Sequence, residues 1–290
     1  MPFTVSLKGD FSDVSNSVPF RYYLPTRIYG IYPRYGPKDG ETVVQVWGEN
    51  FLNFDQDTRC AFGSKSVPAT FISSTYMICV APFSDVVNKP IPFTVSLNYQ
   101  QNSHDNLYFW YYSQPAVTDL IPDRGPDTGG TKLLLRGRNF HPFDINGEID
   151  NMNDTFCMFE NLGKVPATVI NSTKAYCIAP PSYVLRQSIV EITLNNQQYT
   201  DDNNVFYFYR PPMMFDTNPR QGPVNGGTRV IVVGSNFRDT KNITCKFNET
   251  VVTGTFLSTS EIECISPPNL IPGFVPISIA MELDMYSTAV

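Results

Sequence analysis

The chain has 290 residues, 42% of them hydrophobic and 13% aromatic, which suffices for packed cores and excludes a disordered chain. Only 17% are charged, the formal net charge is −6, and Lys and Arg are scattered, so the basic face that a nucleic-acid binder needs is not expected. No apolar stretch approaches the ~20 residues that span a bilayer, and this segment is not expected to insert into a membrane.

The 24 prolines and 18 glycines are spread through the chain, and no run of about 10 to 12 residues carries a clean helical apolar period. Many short strands joined by turns fit this mixture. The chain opens Met1-Pro2-Phe3-Thr4-Val5-Ser6-Leu7, which alternates like a strand and does not read as a secretory leader. Residues 17–24 follow with Phe20, Tyr22 and Tyr23, the aromatic content of a closing strand.

From residue 25 onward the sequence repeats. The first copy runs Ile31-Tyr32-Pro33, Gly36-Pro37, Gly40-Glu41-Thr42 and Gly48-Glu49-Asn50-Phe51. The second has Ile121-Pro122, Gly125-Pro126, Gly129-Gly130-Thr131 and Gly137-Arg138-Asn139-Phe140. The third has Asn218-Pro219, Gly222-Pro223, Gly226-Gly227-Thr228 and Gly234-Ser235-Asn236-Phe237. The Gly-Pro pair and the Gly-x-Asn-Phe tetrad shift together, by 89 and then by 97 residues. Each copy continues with Cys-x-Phe (Cys60, Cys157, Cys245) and then Cys-x-x-Pro (Cys79, Cys177, Cys264). Leu107–Tyr112 and Val205–Tyr209 are aromatic closing strands, expected to be core.

Proline, Gly-Pro and further glycines predict a turn with positive φ, after which a strand of period two begins. Val44 and Val46 correspond to Leu133 and Leu135, and to Val230 and Val232, and should face the core. Val43, Lys132 and Arg229 should face out. Ile262 and Cys264 should likewise point in, with Glu261 and Glu263 out. Units of about 90 residues with this strand density predict a seven-stranded sandwich. The expected organisation is 1–24 as the C-terminal part of a preceding repeat, then domains 25–114, 115–210 and 211–290, the last lacking its final strand.

The string Pro-x-x-Gly-Pro-x-x-Gly-Gly-Thr followed by Gly-x-Asn-Phe resembles the IPT/TIG domain, an immunoglobulin-like fold found in plexins and certain transcription factors. The first copy departs slightly, with Gly40-Glu41 in place of the glycine pair. The resemblance implies an all-β chain of tandem immunoglobulin-like sandwiches, and implies function only loosely.

Six cysteines allow fifteen pairings in principle. The repeat selects Cys60–Cys79, Cys157–Cys177 and Cys245–Cys264, each bridge contributing roughly 3 kcal/mol on the chain-entropy model. No Cys-x-x-Cys occurs and the chain has only two histidines, so neither zinc nor another cofactor is expected. Disulfides imply an oxidising, extracellular compartment. Four Asn-x-Ser/Thr sequons, at Asn153, Asn171, Asn242 and Asn248, agree with it and predict covalent N-linked glycans. Asn242 and Asn248 each lie three residues from the inward Cys245, an odd offset that turns both outward along a strand. Domain 1 has no sequon.

Asp144-Ile-Asn146-Gly-Glu148-Ile-Asp150 has alternate oxygen ligands, but its glycine is misplaced for a calcium loop and it reads as a solvated loop. Trp47 falls at an outward position and is a candidate contact for a sugar or a protein. His104 and His141 lie in different repeats without a repeated nucleophile or carboxylate, and no catalytic motif occurs, so an enzyme is not expected.

Short junctions bearing Pro25, Pro115, Pro211 and Pro212 predict a semi-rigid rod. The leading functional expectation is a glycosylated structural or adhesive protein of the cell surface, or a fibre component. The alternative is the stalk of a plexin-like receptor ectodomain mediating ligand binding or signalling. Expected partners are neighbouring repeats of the same protein, other cell-surface proteins and glycans. Residues 1–16 align with 275–290, Pro2-Phe3-Thr4-Val5-Ser6-Leu7 matching Pro276-Ile277-Ser278-Ile279-Ala280-Met281. Either the polypeptide continues in both directions, or residues 1–24 of one molecule complete the third domain of the next in head-to-tail self-assembly.

Overall fold

Val44 and Val46 are fully buried while Val43 and Trp47, on the same strand, are exposed, and the other two copies repeat the pattern. The computed structural model describes residues 2–3, 18–54, 57–140, 154–184, 186–240, 242–269 and 271–281, and divides into two compact units, 1–114 and 115–290. No α-helix occurs among the described residues.

In the first unit a short hairpin, β1 (Pro2–Phe3) with β2 (Val18–Pro19), precedes a sandwich. Its strands are β3 (Arg27–Tyr32), β4 (Tyr35–Pro37), β5 (Val43–Glu49), β6 (Arg59–Phe62), β7 (Lys65–Ser73), β8 (Tyr76–Val80), β9 (Pro90–Ser96) and β10 (Leu107–Tyr112). One sheet runs β3-β5-β8-β7 and the other β7-β6-β9-β10-β4. β7 belongs to both: Lys65–Pro68 pair with β6 and Ala69–Ser73 with β8. Eight strands appear where seven were expected, because the first breaks after Tyr32 and resumes as β4 in the opposite sheet, parallel to β10.

The second unit holds two further sandwiches, each with its own core. One comprises β11 (Ala116–Ile121), β12 (Arg124–Pro126), β13 (Lys132–Arg138), β14 (Phe156–Phe159), β15 (Gly163–Asn171), β16 (Lys174–Ile178), β17 (Gln187–Thr193) and β18 (Asn204–Tyr209), in the same order as the first. The other has six strands: β19 (Met213–Asn218), β20 (Arg229–Ser235), β21 (Ile243–Phe247), β22 (Thr250–Ser258), β23 (Glu261–Ile265) and β24 (Ile277–Met281), ordered β19-β20-β23-β22-β21-β24. These sandwiches are domains 1, 2 and 3 below.

The turns behave as their glycines require. Gly129 and Gly226 adopt φ of 77° and 75° and press against the loop after the second cysteine, where a Cβ would come within 2.6 Å of the backbone at Pro181 or Pro267. Backbone hydrogen bonds Gly130 N to Ala179 O and Gly227 N to Ser266 O lock the contact. Glu41 holds the same left-handed conformation, φ 64°, and its N–H donates to Ala81 O.

One expectation is corrected. The aromatic closing strands are core only in part: Phe109, Tyr111, Tyr112 and Phe206 are buried, whereas Tyr108 and Tyr207 are exposed. Period two holds for these rings up to Tyr111, and Tyr112 departs from it.

Candidate functional site: repeat junctions and outer faces

The Gly-x-Asn-Phe tetrad ends the second strand of each sandwich, and in domains 1 and 3 it meets the segment that leads into the domain. Phe51, Phe140 and Phe237 are completely buried, and Gly234 leaves room for the ring, since a Cβ there would lie 2.4 Å from Phe237 Cζ. The asparagine takes φ near 60° in all three copies, a conformation its short polar side chain tolerates. In domain 1 the Asn50 amide donates to Pro25 O at 2.9 Å; in domain 3 Asn236 donates to Pro211 O at 3.0 Å. The tetrad thus seats a core ring and clamps the incoming chain with two adjacent residues.

Aromatic contacts complete the junctions. The Tyr23 ring tilts against Phe54 at 5.6 Å, and the Arg21 guanidinium also lies over Phe54 at 5.6 Å. At the later junction, the Arg238 guanidinium lies 3.9 Å over the ring of Tyr209. Each first strand carries a bulge here, and in domains 1 and 2 an aspartate from the opposite loop repairs it. Asp105 accepts from Ile28 N–H at 2.9 Å and Asp202 from Val117 N–H at 2.6 Å. Sequence reasoning missed both carboxylates, because 77 and 85 residues separate the partners.

Each pair of cysteines joins the strand after the tetrad to the strand beside the second one, across the two sheets of its own sandwich. Cys60 meets Cys79, Cys157 meets Cys177 and Cys245 meets Cys264, with Cα–Cα distances of 6.3, 6.4 and 6.2 Å. All six are buried.

Asn171, Asn242 and Asn248 are exposed; Asn153 lies outside the described residues. Asn171 caps the β15–β16 turn, its Oδ1 accepting from both N–H and O–H of Thr173 at 2.9 Å, where Ser73 and Ser258 hydroxyls serve the other copies. Asn242 and Asn248 flank β21 rather than sit within it. Asn248 turns outward through the β21–β22 turn, at φ 52°, and not through strand alternation alone.

Trp47 is 39% exposed on the outer face of the β3-β5-β8-β7 sheet, its ring tilted against Tyr76 at 6.0 Å. Tyr32, Val43, Ile72 and Val80 are exposed on the same face. Their counterparts in the other domains include Lys132, Arg136 and Lys174, and Arg229, Glu261 and Glu263, with Arg229 paired to Glu263. At the positions of Val43 and Tyr76 domain 1 thus carries apolar or aromatic side chains where the others carry charge, while Arg27 and Glu49 pair at the end of the same face and Ile178 and Ile265 match Val80.

Nearby, a cleft of about 640 Å³ is lined by Tyr23, Arg27, Tyr29, His104 and Asp105. Asp105 is already committed to the Ile28 amide, and a hydrogen bond to Glu49 raises the Tyr29 phenol above its usual value. The Ser103 hydroxyl, next to His104 in the lining, accepts from Val95 N–H at 3.2 Å. His141 and the loop from Asp144 to Asp150 lie outside the described residues. Among the described residues no group of three His, Cys, Asp or Glu side chains is placed to hold a metal.

The profile of the IPT/TIG domain matches residues 25–111, 115–208 and 215–290. The chain belongs to the IPT/TIG domain family. Its tandem IPT/TIG repeats are similar to Plexin-2 of Caenorhabditis elegans, 24% identical over 79% of this chain and 12% of the relative. They are also similar to human Plexin-A3, 27% identical over 72% of this chain and 11% of the relative. The chain thus spans about an eighth or less of the length of these relatives. Among solved structures, the full extracellular region of plexin A4 aligns with 86% of this chain and 21% of its own, at 18% identity and a TM-score of 0.47.

Proposed function

We propose that this chain is part of the extracellular region of a plexin-like cell-surface receptor, in which clamped IPT/TIG repeats act as a spacer and domain 1 presents a protein-binding face. The observation that carries the reading is the similarity to two plexins across most of the chain. An inter-sheet disulfide in every repeat fits an oxidising compartment, and exposed sequons fit a glycosylated surface. The expectation of a structural fibre draws less support from these relatives than the receptor-stalk alternative does. Glycans at Asn171, Asn242 and Asn248, with Asn153 as a fourth sequon, would coat domains 2 and 3. They would leave domain 1 bare, and the aromatic pair Trp47 and Tyr76 on its outer face is of the residue type enriched at interface cores. The role is binding and spacing rather than catalysis.

Labelling intact, non-permeabilised cells with an antibody to domain 1 tests the location. Surface staining is expected. Confinement to the nucleus or cytosol would overturn the receptor reading, since transcription factors also carry this fold.

A further inference from the structure

The alternation that buries Leu133 and Leu135 puts Lys132, Leu134, Arg136 and Arg138 on the outer face of β13, where the lysine and both arginines are exposed. On the neighbouring strand β16, Lys174 pairs with Arg136, Tyr176 with Leu134 and Ile178 with Lys132, so two strands share this face. Lys174 is exposed as well, and Tyr176 is half-buried at the centre. The Lys132 ammonium lies 4.5 Å over the Tyr176 ring, which holds the cation on the face without neutralising it. From Lys132 to Arg138 the basic track runs about 20 Å along the strand.

Little opposes this charge. Asp119 is the one carboxylate cross-strand from the track, opposite Arg136, and it accepts from the Thr118 hydroxyl at 3.1 Å. β15 adds the neutral Thr168 beside Tyr176. Among the described residues none of Arg136, Arg138 and Lys174 forms an ion pair, whereas Lys65, Arg220, Arg229 and Lys246 each hold a carboxylate. The other domains lack the track. Its four β13 positions are Val43, Gln45, Trp47 and Glu49 in domain 1. In domain 3 they are Arg229, Ile231, Val233 and Ser235, and Glu263 takes up the charge of Arg229. A chain of net charge −6 thus gathers, on one sheet face, four cations against a single carboxylate. Unpaired charges of one sign on one face add into a local potential that paired ones do not make.

We propose that the outer face of domain 2 binds a linear sulfated polysaccharide, with sulfate groups on Lys132, Arg136, Arg138 and Lys174 and a sugar ring over Leu134 and Tyr176. Charge complementarity names the class: a row of exposed, unpaired cations suits a polyanion, and each guanidinium offers a planar fork to an oxyanion. The half-covered ring and aliphatic at the centre suit a ligand with apolar C–H faces between its charges, which a sugar chain presents along its length. The face itself does not depend on the receptor reading; only the choice of a cell-surface polysaccharide among polyanions rests on it. Asn171 pairs with Lys174, so a glycan at Asn171 would border that end of the track and narrow access to it.

Surface plasmon resonance over immobilised heparin tests it, with the 290-residue chain secreted from eukaryotic cells and its N-glycans trimmed to the first sugar. Binding is expected, and its affinity should fall steeply as salt rises, because each cation engaged releases a counterion. The Arg136→Gln/Arg138→Gln/Lys174→Gln variant should bind roughly a hundredfold more weakly and with a shallower salt dependence. The Lys65→Gln/Arg220→Gln/Lys246→Gln variant removes the same charge from cations already held by carboxylates, and it should bind like the parent chain. Circular dichroism of both variants should match the parent. Hyaluronan, which carries carboxylates and no sulfate, should be retained far less than heparin. Four results would overturn the proposal: no retention on heparin at low salt, retention that survives the domain 2 substitutions, equal losses in the two triple variants, or equal retention of hyaluronan. Capture of phosphatidylserine vesicles without retention on heparin would assign the face to lipid and overturn it as well. Retention on heparin concerns the face alone, so intracellular staining would remove the receptor reading without touching this result.

Discussion

The guanidinium of Arg238 lies 3.9 Å over the ring of Tyr209, joining the residue after the Gly-x-Asn-Phe tetrad of domain 3 to the last aromatic of the strand that closes domain 2. Asn236, two residues earlier, holds Pro211 O. One short segment therefore fixes the connector twice, by a stacked cation and by an amide. Arg238→Ala should cost about 1 kcal/mol of junction stability, and Asn236→Ala about 1–2 kcal/mol, because a carbonyl partner is lost and alanine resists the left-handed backbone. Hydrogen exchange of amides in residues 209–214 would report both, with Asn236→Gly intermediate.

The two glycines of the domain 3 turn should differ although they are adjacent. A Cβ at Gly227 meets nothing within 4 Å, so Gly227→Ala should cost only the left-handed penalty of about 1 kcal/mol. A Cβ at Gly226 would strike the Pro267–Pro268 backbone at 2.6 Å, so Gly226→Ala should cost about 2–4 kcal/mol. Exchange of β20 and β23 amides isolates domain 3 within the chain. Glu41→Gly should act in the opposite sense and stabilise domain 1.

Asp202 satisfies the Val117 amide at a bulge, and Asn204 donates to Val117 O at 2.9 Å. Asp202→Ala leaves a part-buried N–H unpaired and should destabilise domain 2 by about 1–3 kcal/mol. Asp202→Asn keeps an acceptor oxygen and should lose less. Urea denaturation comparing the two variants checks the order.

Non-reducing peptide mapping should recover three bridges, each within one repeat. The Cys157→Ala/Cys177→Ala double variant should lose about 3 kcal/mol from domain 2, the value expected for a loop of this length. Equal melting of the variant and the parent chain would deny the bridge its role.

Glycopeptide mass spectrometry of protein secreted from eukaryotic cells should find sugar at Asn171, Asn242 and Asn248 and no N-linked sugar on domain 1. Each Asn→Gln change should remove one glycan. Stability should also fall by about 1 kcal/mol at Asn171, where the short side chain caps the turn.

The repeat, the inward positions and the outward ones were legible in the sequence because their causes are local. Period two settles which of Val43 and Val44 meets the core, and a turn that needs positive φ calls for glycine wherever it recurs. Cysteines at matching places in three copies leave one economical pairing. What depended on distant partners could not be read that way. Tyr112 is buried directly after Tyr111, which period two does not give. Asp105 and Asp202 acquire their role only when loops 77 and 85 residues away fold onto the bulges. Gly36, Gly125 and Gly222 read as turn residues, yet two of them are seats for rings brought from the far end of the domain. Sequence decides which face a side chain takes on its own strand, since that is set by backbone geometry within a few residues. Only the closed sandwich decides what that face touches, because its strands meet across long stretches of chain.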